Sequence, residues 1–297
     1  MKRTLAMLLA SLLLLAPASC VAQPGGGEID LPADFWSLVD GSTATIPISE
    51  ALYAFFTGDE EGRRSAVNHS QTFASYGNLL DGKADVIFVT EPTPDLLSMF
   101  EEAGVEIEVI PIVREAFVLF INNRNPVTSL TVQQLQDIYK GKITNWKDVG
   151  GDDLAIMPYQ RNEASGSQSL FTSLLMKGEP PAPVPSEYVF ADMSSIIDAT
   201  TSYEEWGLGG MGFSVFFYAN IMYEYEERLH FLEVDGVAPN NGTIARGEYP
   251  LATYYYAVIR KDSPDGGPAR KLVDFILTDE GQRLMQDIGY VPLEAID

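Results

Sequence analysis

Residues 160–171 read QRNEASGSQSLF: an arginine, a turn of small residues with two hydroxyls and a glycine, and then the start of an apolar repeat. Leu170, Phe171, Leu174 and Leu175 recur at helical spacing, which predicts a helix beginning near Ser165 or Gly166. The first N–H groups of a helix have no partner within it, and the helix dipole favours negative charge at that end. Gly166 lets backbone approach a ligand, Ser165 and Ser167 offer hydroxyl donors, and Arg161 offers a planar fork suited to a tetrahedral oxyanion. An oxyanion cradle is one reading of this stretch. The other is that Ser165 caps a surface helix while Arg161 pairs with a carboxylate.

On either side the chain alternates strand, loop and helix, the pattern of an α/β protein. Toward the N-terminus, Ile48, Ala51, Leu52, Phe55 and Phe56 mark a half-buried helix that starts at Pro47. Thr45 and the amide of Ile46 precede it, as a second cradle or as a simple cap. Phe73, Tyr76 and Leu80 share a helical face with Thr72 at its start, and Asp81-Gly82 turns the chain into a buried strand at Val86–Val89. Thr90 and Glu91 then stand at the carboxyl end of that strand, where ligands collect in open α/β sheets. A strand near Glu106–Val113 runs toward another at Phe117–Asn122, with Pro111 and Arg114-Glu115 between them as a crossing between lobes. Toward the C-terminus, Ala252–Arg260 reads as a strand returning to the first lobe, followed by two helices.

At 297 residues, 46% apolar and 21% charged, the chain can bury the core of one large or two medium lobes. Its formal charge of −23 repels nucleic acid and anionic lipid, so an anion must be held by local donors and not by the overall field. A hydrolase built on Ser165 or Ser167 needs a base, and the two histidines, His69 and His230, sit in no recognisable motif. No metal cluster, P-loop lysine or other cofactor motif is legible, so an enzyme is not expected. Residues 1–19 have the positive start and leucine-rich run of a signal peptide, and 20–28 form a glycine-rich tether. Cys20, the one cysteine, excludes an intramolecular disulfide and resembles the lipid-modified cysteine of bacterial lipoproteins, although Ala16-Pro17-Ala18 also suits ordinary cleavage. An exported protein follows, periplasmic or lipid-anchored to the outer face of a bacterial membrane.

The chain resembles the extracytoplasmic phosphate-binding proteins, the solute-binding components of phosphate ABC transporters. The likeness is most specific in LTVQQLQDIYKGKITNWKDVGG, residues 130–151, and in Arg161 to Ser167, where that family carries Arg, three residues, then Ser-Gly-Thr. Arg161, Ser165 and Gly166 match, and Ser167 keeps the hydroxyl of the threonine. Thr45-Ile46 matches the first phosphate loop, and Thr72 stands where the family has a serine. The resemblance implies a type II periplasmic-binding fold, with lobe 1 at 29–112 and 253–297 and lobe 2 at 113–252. It implies crossings near Pro111–Glu115 and Tyr249–Thr253, a monomer, a phosphate ligand in the cleft, and a permease as partner. A surface sensor for another oxyanion such as sulfate, without a transport role, is the alternative. Where the family has an aspartate that accepts the ligand's proton, this chain has Thr90, which predicts weaker discrimination against sulfate unless Glu91 turns in to supply the acceptor.

Overall fold

A computed structural model of the chain describes residues 29–202, 208–222 and 228–294. The expected leader, tether and Cys20 lie outside the described residues.

The scaffold is a mixed sheet in the order β1-β2-β11-β3-β8-β5. These strands are β1 Val39–Gly41, β2 Val86–Val89, β3 Ile107–Asn122, β5 Met157–Pro158, β8 Gly210–Val215 and β11 Ala252–Arg260. Strand β2 alternates its side chains between two cores. Val86 and Phe88 join the larger core, while Ile87 and Val89 pack with Tyr76, Leu79, Leu96, Phe100 and Val258 in a smaller one. A strand buried on both faces needs this continuous apolar run, and helices must cover each side. The smaller core lies under α3 Thr72–Leu80 and α4 Pro94–Glu102. The larger lies under α1 Ile46–Thr57 and α9 Pro268–Ile276, where Phe55, Phe56 and Phe275 meet ring to ring.

The two strands expected around Pro111 are a single 16-residue strand, β3. Its residues Ile107–Ala116 pair with β11, and Phe117–Ile121 pair with β8. Proline has no N–H to give the ladder, and the register shifts opposite Pro111, between Tyr255 and Tyr256. The bulge absorbs the missing donor, so the strand continues.

Glu115 sits where β3 exchanges β11 for β8, and it is buried. Its Oε1 accepts from the N–H of Ala116 at 2.8 Å and of Phe217 at 3.1 Å. Burial outweighs these donors and pushes the carboxyl up to about 8. The C-terminal segment lies across the same point. Arg114 N–H donates to the Val291 carbonyl at 2.8 Å, and its Nε donates to that of Leu293 at 2.8 Å.

Candidate functional site

Arg161 ends the short strand β6 Gln160–Arg161, which pairs in parallel with β7 Val189–Phe190. Its guanidinium is fixed from three directions. Nε donates to the Phe190 carbonyl at 3.2 Å, Nη2 to the Ala191 carbonyl at 3.1 Å, and Nη1 to Ser167 Oγ at 3.2 Å. Burial lowers its pKa to about 10, with Asp192 and Tyr218 favouring the charge, so it is a cation at neutral pH. Helix α6, Gly166–Leu170, starts where the apolar spacing predicts and runs on as a π turn, Phe171–Leu175. Ser165 makes no capping bond. Its Oγ lies 2.9 Å from Ser167 Oγ, so two hydroxyls and the arginine form one connected set of donors.

The opposite wall comes from residues far away in sequence. A Cβ built on Gly166 would fall 2.6 Å from Thr72 Oγ1 and 3.0 Å from Thr90 Oγ1, so these backbones close on each other only because position 166 has no side chain. Thr90 Oγ1 is buried without a hydrogen-bond partner. An unmet buried hydroxyl costs about 1 to 3 kcal/mol, which a ligand oxygen can return. Gln71, before α3, has φ +74° and ψ 162°, a conformation close to glycine's own. Such strain gathers at ligand clamps.

These residues enclose a cavity of about 270 Å³, lined by Thr72, Thr90, Arg161, Ser165, Gly166 and Ser167 of the expected set. Three expected residues are not on its wall. Thr45 turns its hydroxyl inward, donating to the Phe88 carbonyl at 2.7 Å, so this side chain fastens the loop to β2 and leaves Ser42, Thr43 and Ala44 facing the cleft. Ile46 begins α1 behind them. Glu91 is exposed, and its charge adds to burial, the larger cause, in raising the pKa values of Tyr76 and Tyr256. The strand ends at Val89 and the chain bends at Thr90, and this bend does not bring Glu91 onto the cavity wall.

Asp192, Gln71, Ser194 and Tyr218 line the cavity unforeseen. Asp192 caps α7, Met193–Thr201. Its carboxyl is drawn down to about 2 by the Ser195 N–H, then by the Ser194 and Ser195 hydroxyls, with Arg161 adding least. The Asp192-Met193-Ser194-Ser195 run before Ile196 is a capping signal, but nothing local to it shows that the cap faces Arg161. Among the lining residues are one guanidinium and one carboxylate. Neither histidine lines the cavity, and His230 Nε2 bonds the Val127 carbonyl at 2.8 Å, so no imidazole stands beside the serines.

A cleft walled by hydroxyls, one buried guanidinium and one carboxylate is suited to a small anionic solute. The chain belongs to the PBP superfamily domain family, whose pattern matches residues 32–280. It is 27% identical over 174 residues to the phosphate-binding protein PstS of Bacillus subtilis, covering 58% of this chain and 53% of that one. In that alignment the chain spans about half of its relative. PstS of Staphylococcus epidermidis is 26% identical over 265 residues, 85% of this chain and 77% of that one. A Clostridium perfringens substrate-binding protein solved with bound phosphate has the same fold, with a TM-score of 0.65 at 23% identity over 86% of this chain and 98% of that one. These relatives are phosphate- or substrate-binding proteins.

Proposed function

We propose that this protein binds phosphate in the cleft outside the cytoplasmic membrane and delivers it to an ABC transporter permease. The carrying observation is convergence. Arg161, Ser165 and Ser167 face Thr72, Thr90 and the Ser42–Ala44 loop across a cavity large enough for one oxyanion and some water. About six charge-assisted hydrogen bonds, each about 1.5 to 3 kcal/mol, total roughly 9 to 18 kcal/mol, and a total above about 12 still supplies the roughly 8 kcal/mol of micromolar binding after an association cost of about 4. The phosphate-binding relatives favour this ligand.

In this reading residues 29–112 with 253–297 form one lobe and 113–252 the other, and closure joins Gly166 to Thr72 and Thr90. Cys20 carries the lipid that keeps the monomer at the membrane surface. Calorimetry of the protein lacking residues 1–19 against phosphate, sulfate and molybdate tests the ligand. Micromolar or tighter binding of phosphate is expected, and no heat with phosphate overturns the proposal. Uptake by cells lacking the gene, with and without complementation, tests delivery.

A further inference from the structure

The wall of the cleft that holds no cation, the loop Ser42–Thr45, is tied to the C-terminal segment by one side chain. Tyr290 Oη donates to the Ala44 carbonyl at 2.6 Å, across 246 positions of sequence, and the bond is buried. The ring of Tyr290 is stacked on Phe217, with centroids 3.6 Å apart and planes 9° from parallel. It also meets Tyr255, a lining residue, edge to face at 6.2 Å. The backbone N–H of Phe217 in turn donates to Glu115 at the point where β3 changes partners. Next to Tyr290, Val291 bridges Arg114, the neighbour of Glu115. The tyrosine therefore spans from the crossing strand and the end of β8 to the first loop of the anion site.

We propose that Tyr290 is a positioning residue for anion binding: it fixes the Ala44 peptide, and with it the cleft-facing Ser42–Ala44 turn, relative to the end of β8, the strand on which the segment leading to Arg161 is paired. This rests on the reading of the cleft as an anion site. The turn is short, and the first amides of such a turn have no partner within it. They can serve as donors to a ligand only while the turn is held in one orientation. Thr45 Oγ1 holds one end of it to the Phe88 carbonyl at 2.7 Å. The Ser42 N–H holds the other end to the same carbonyl at 3.0 Å, and Tyr290 adds a third tie between them, at Ala44. A purely structural tyrosine would be expected to fill volume, and its ring against Phe217 does so; the hydroxyl does something separate, since it is spent on a carbonyl of the binding loop.

The test separates ring from hydroxyl. Tyr290→Phe keeps the stack and removes the bond, and Phe217→Leu keeps the bond and removes the stack. Amide hydrogen exchange of residues 42–46 is measured in the anion-free proteins, and phosphate affinity and dissociation rate are measured by calorimetry and stopped flow. Tyr290→Phe is expected to exchange faster at 42–46, with β2 unchanged, and to bind phosphate about tenfold more weakly, chiefly through faster release. Phe217→Leu is expected to lower the melting temperature and to weaken binding less. Unchanged exchange at 42–46 in Tyr290→Phe overturns the proposal whether or not phosphate binds. Unchanged affinity with wild-type binding intact also overturns it. A wild-type protein that binds no phosphate sinks the ligand assignment instead, leaving the exchange result to decide the role of Tyr290.

Discussion

Gly166 and Thr72 meet across the cleft at a separation that admits no side chain, since a Cβ on Gly166 would lie 2.6 Å from Thr72 Oγ1. Gly166→Ala improves helix propensity at the start of α6, so the variant is expected to fold at least as well as the wild type. It cannot close. Phosphate affinity should fall at least tenfold with an unchanged or raised melting temperature. Equal affinity in the two proteins would show that the ligand-bound cleft is wider than the one described here.

Arg161→Ala removes the one guanidinium on the wall and leaves the Phe190 and Ala191 carbonyls without its donors. Losing a fixed cation opposite a desolvated anion typically costs about 2 to 5 kcal/mol. Calorimetry is expected to show no measurable phosphate binding, with the circular dichroism spectrum retained. Wild-type affinity would remove Arg161 from the site.

The carboxylate absent at Thr90 has a counterpart on the other wall. Asp192 stays ionised at neutral pH, held down to about 2, and faces the same cavity as Arg161. An ionised carboxylate only accepts, so it favours an oxyanion that still carries a proton and disfavours fully ionised sulfate. Asp192→Asn is expected to let sulfate compete at least tenfold better against phosphate at pH 7. Unaltered competition would assign Asp192 to capping α7 alone.

Gln71 holds a backbone conformation that costs a non-glycine residue on the order of 1 to 3 kcal/mol. Gln71→Gly should raise stability to urea by about 1 kcal/mol while weakening anion binding, because the freed segment must be ordered by the ligand. A fall in stability would mean that the Gln71 side chain contributes more than its backbone loses.

Glu115 links stability to pH. Its pKa is raised from 4.5 to about 8 in the folded chain, chiefly by burial, so between these values the unfolded chain has lost a proton that the folded chain still holds. Its contribution is full below about pH 4.5 and is lost as pH rises through about 8. Wild-type melting temperature should therefore fall from pH 5 to pH 8.5, and Glu115→Gln should flatten that slope. Parallel slopes in the two proteins would place the titration elsewhere.

The parts of the fold and site that could be read in advance are those whose signals are local. The helix start after Ser165 follows from the spacing of Leu170, Phe171, Leu174 and Leu175, and α6 begins at Gly166. Val86–Val89 reads as a strand because an apolar run between turns can do little else. The errors arose where a distant group decides. Thr45 looks like a ligand donor until Phe88, 43 positions away, offers a carbonyl 2.7 Å from its hydroxyl. Pro111 looks like a strand break until the bulge at Ile112 of β3, opposite Tyr255 and Tyr256, accommodates it. Asp192 has no part in the sequence reading, because its approach to Arg161 depends on β7 pairing with β6.

The shared strand has a consequence for synthesis. Strands β2 and β3 do not touch each other; β11 lies between them and pairs with both. A nascent chain thus carries β2 and the first half of β3 as open edges until Ala252–Arg260 has emerged, with only the closing helices and the Tyr290 segment still to come. Pairings this far apart in sequence form late, and bare edges of Val86–Val89 type invite association with other chains. The same delay makes the β1-β2 side of the sheet the last to be completed, because its link to β3 is the strand made nearly last.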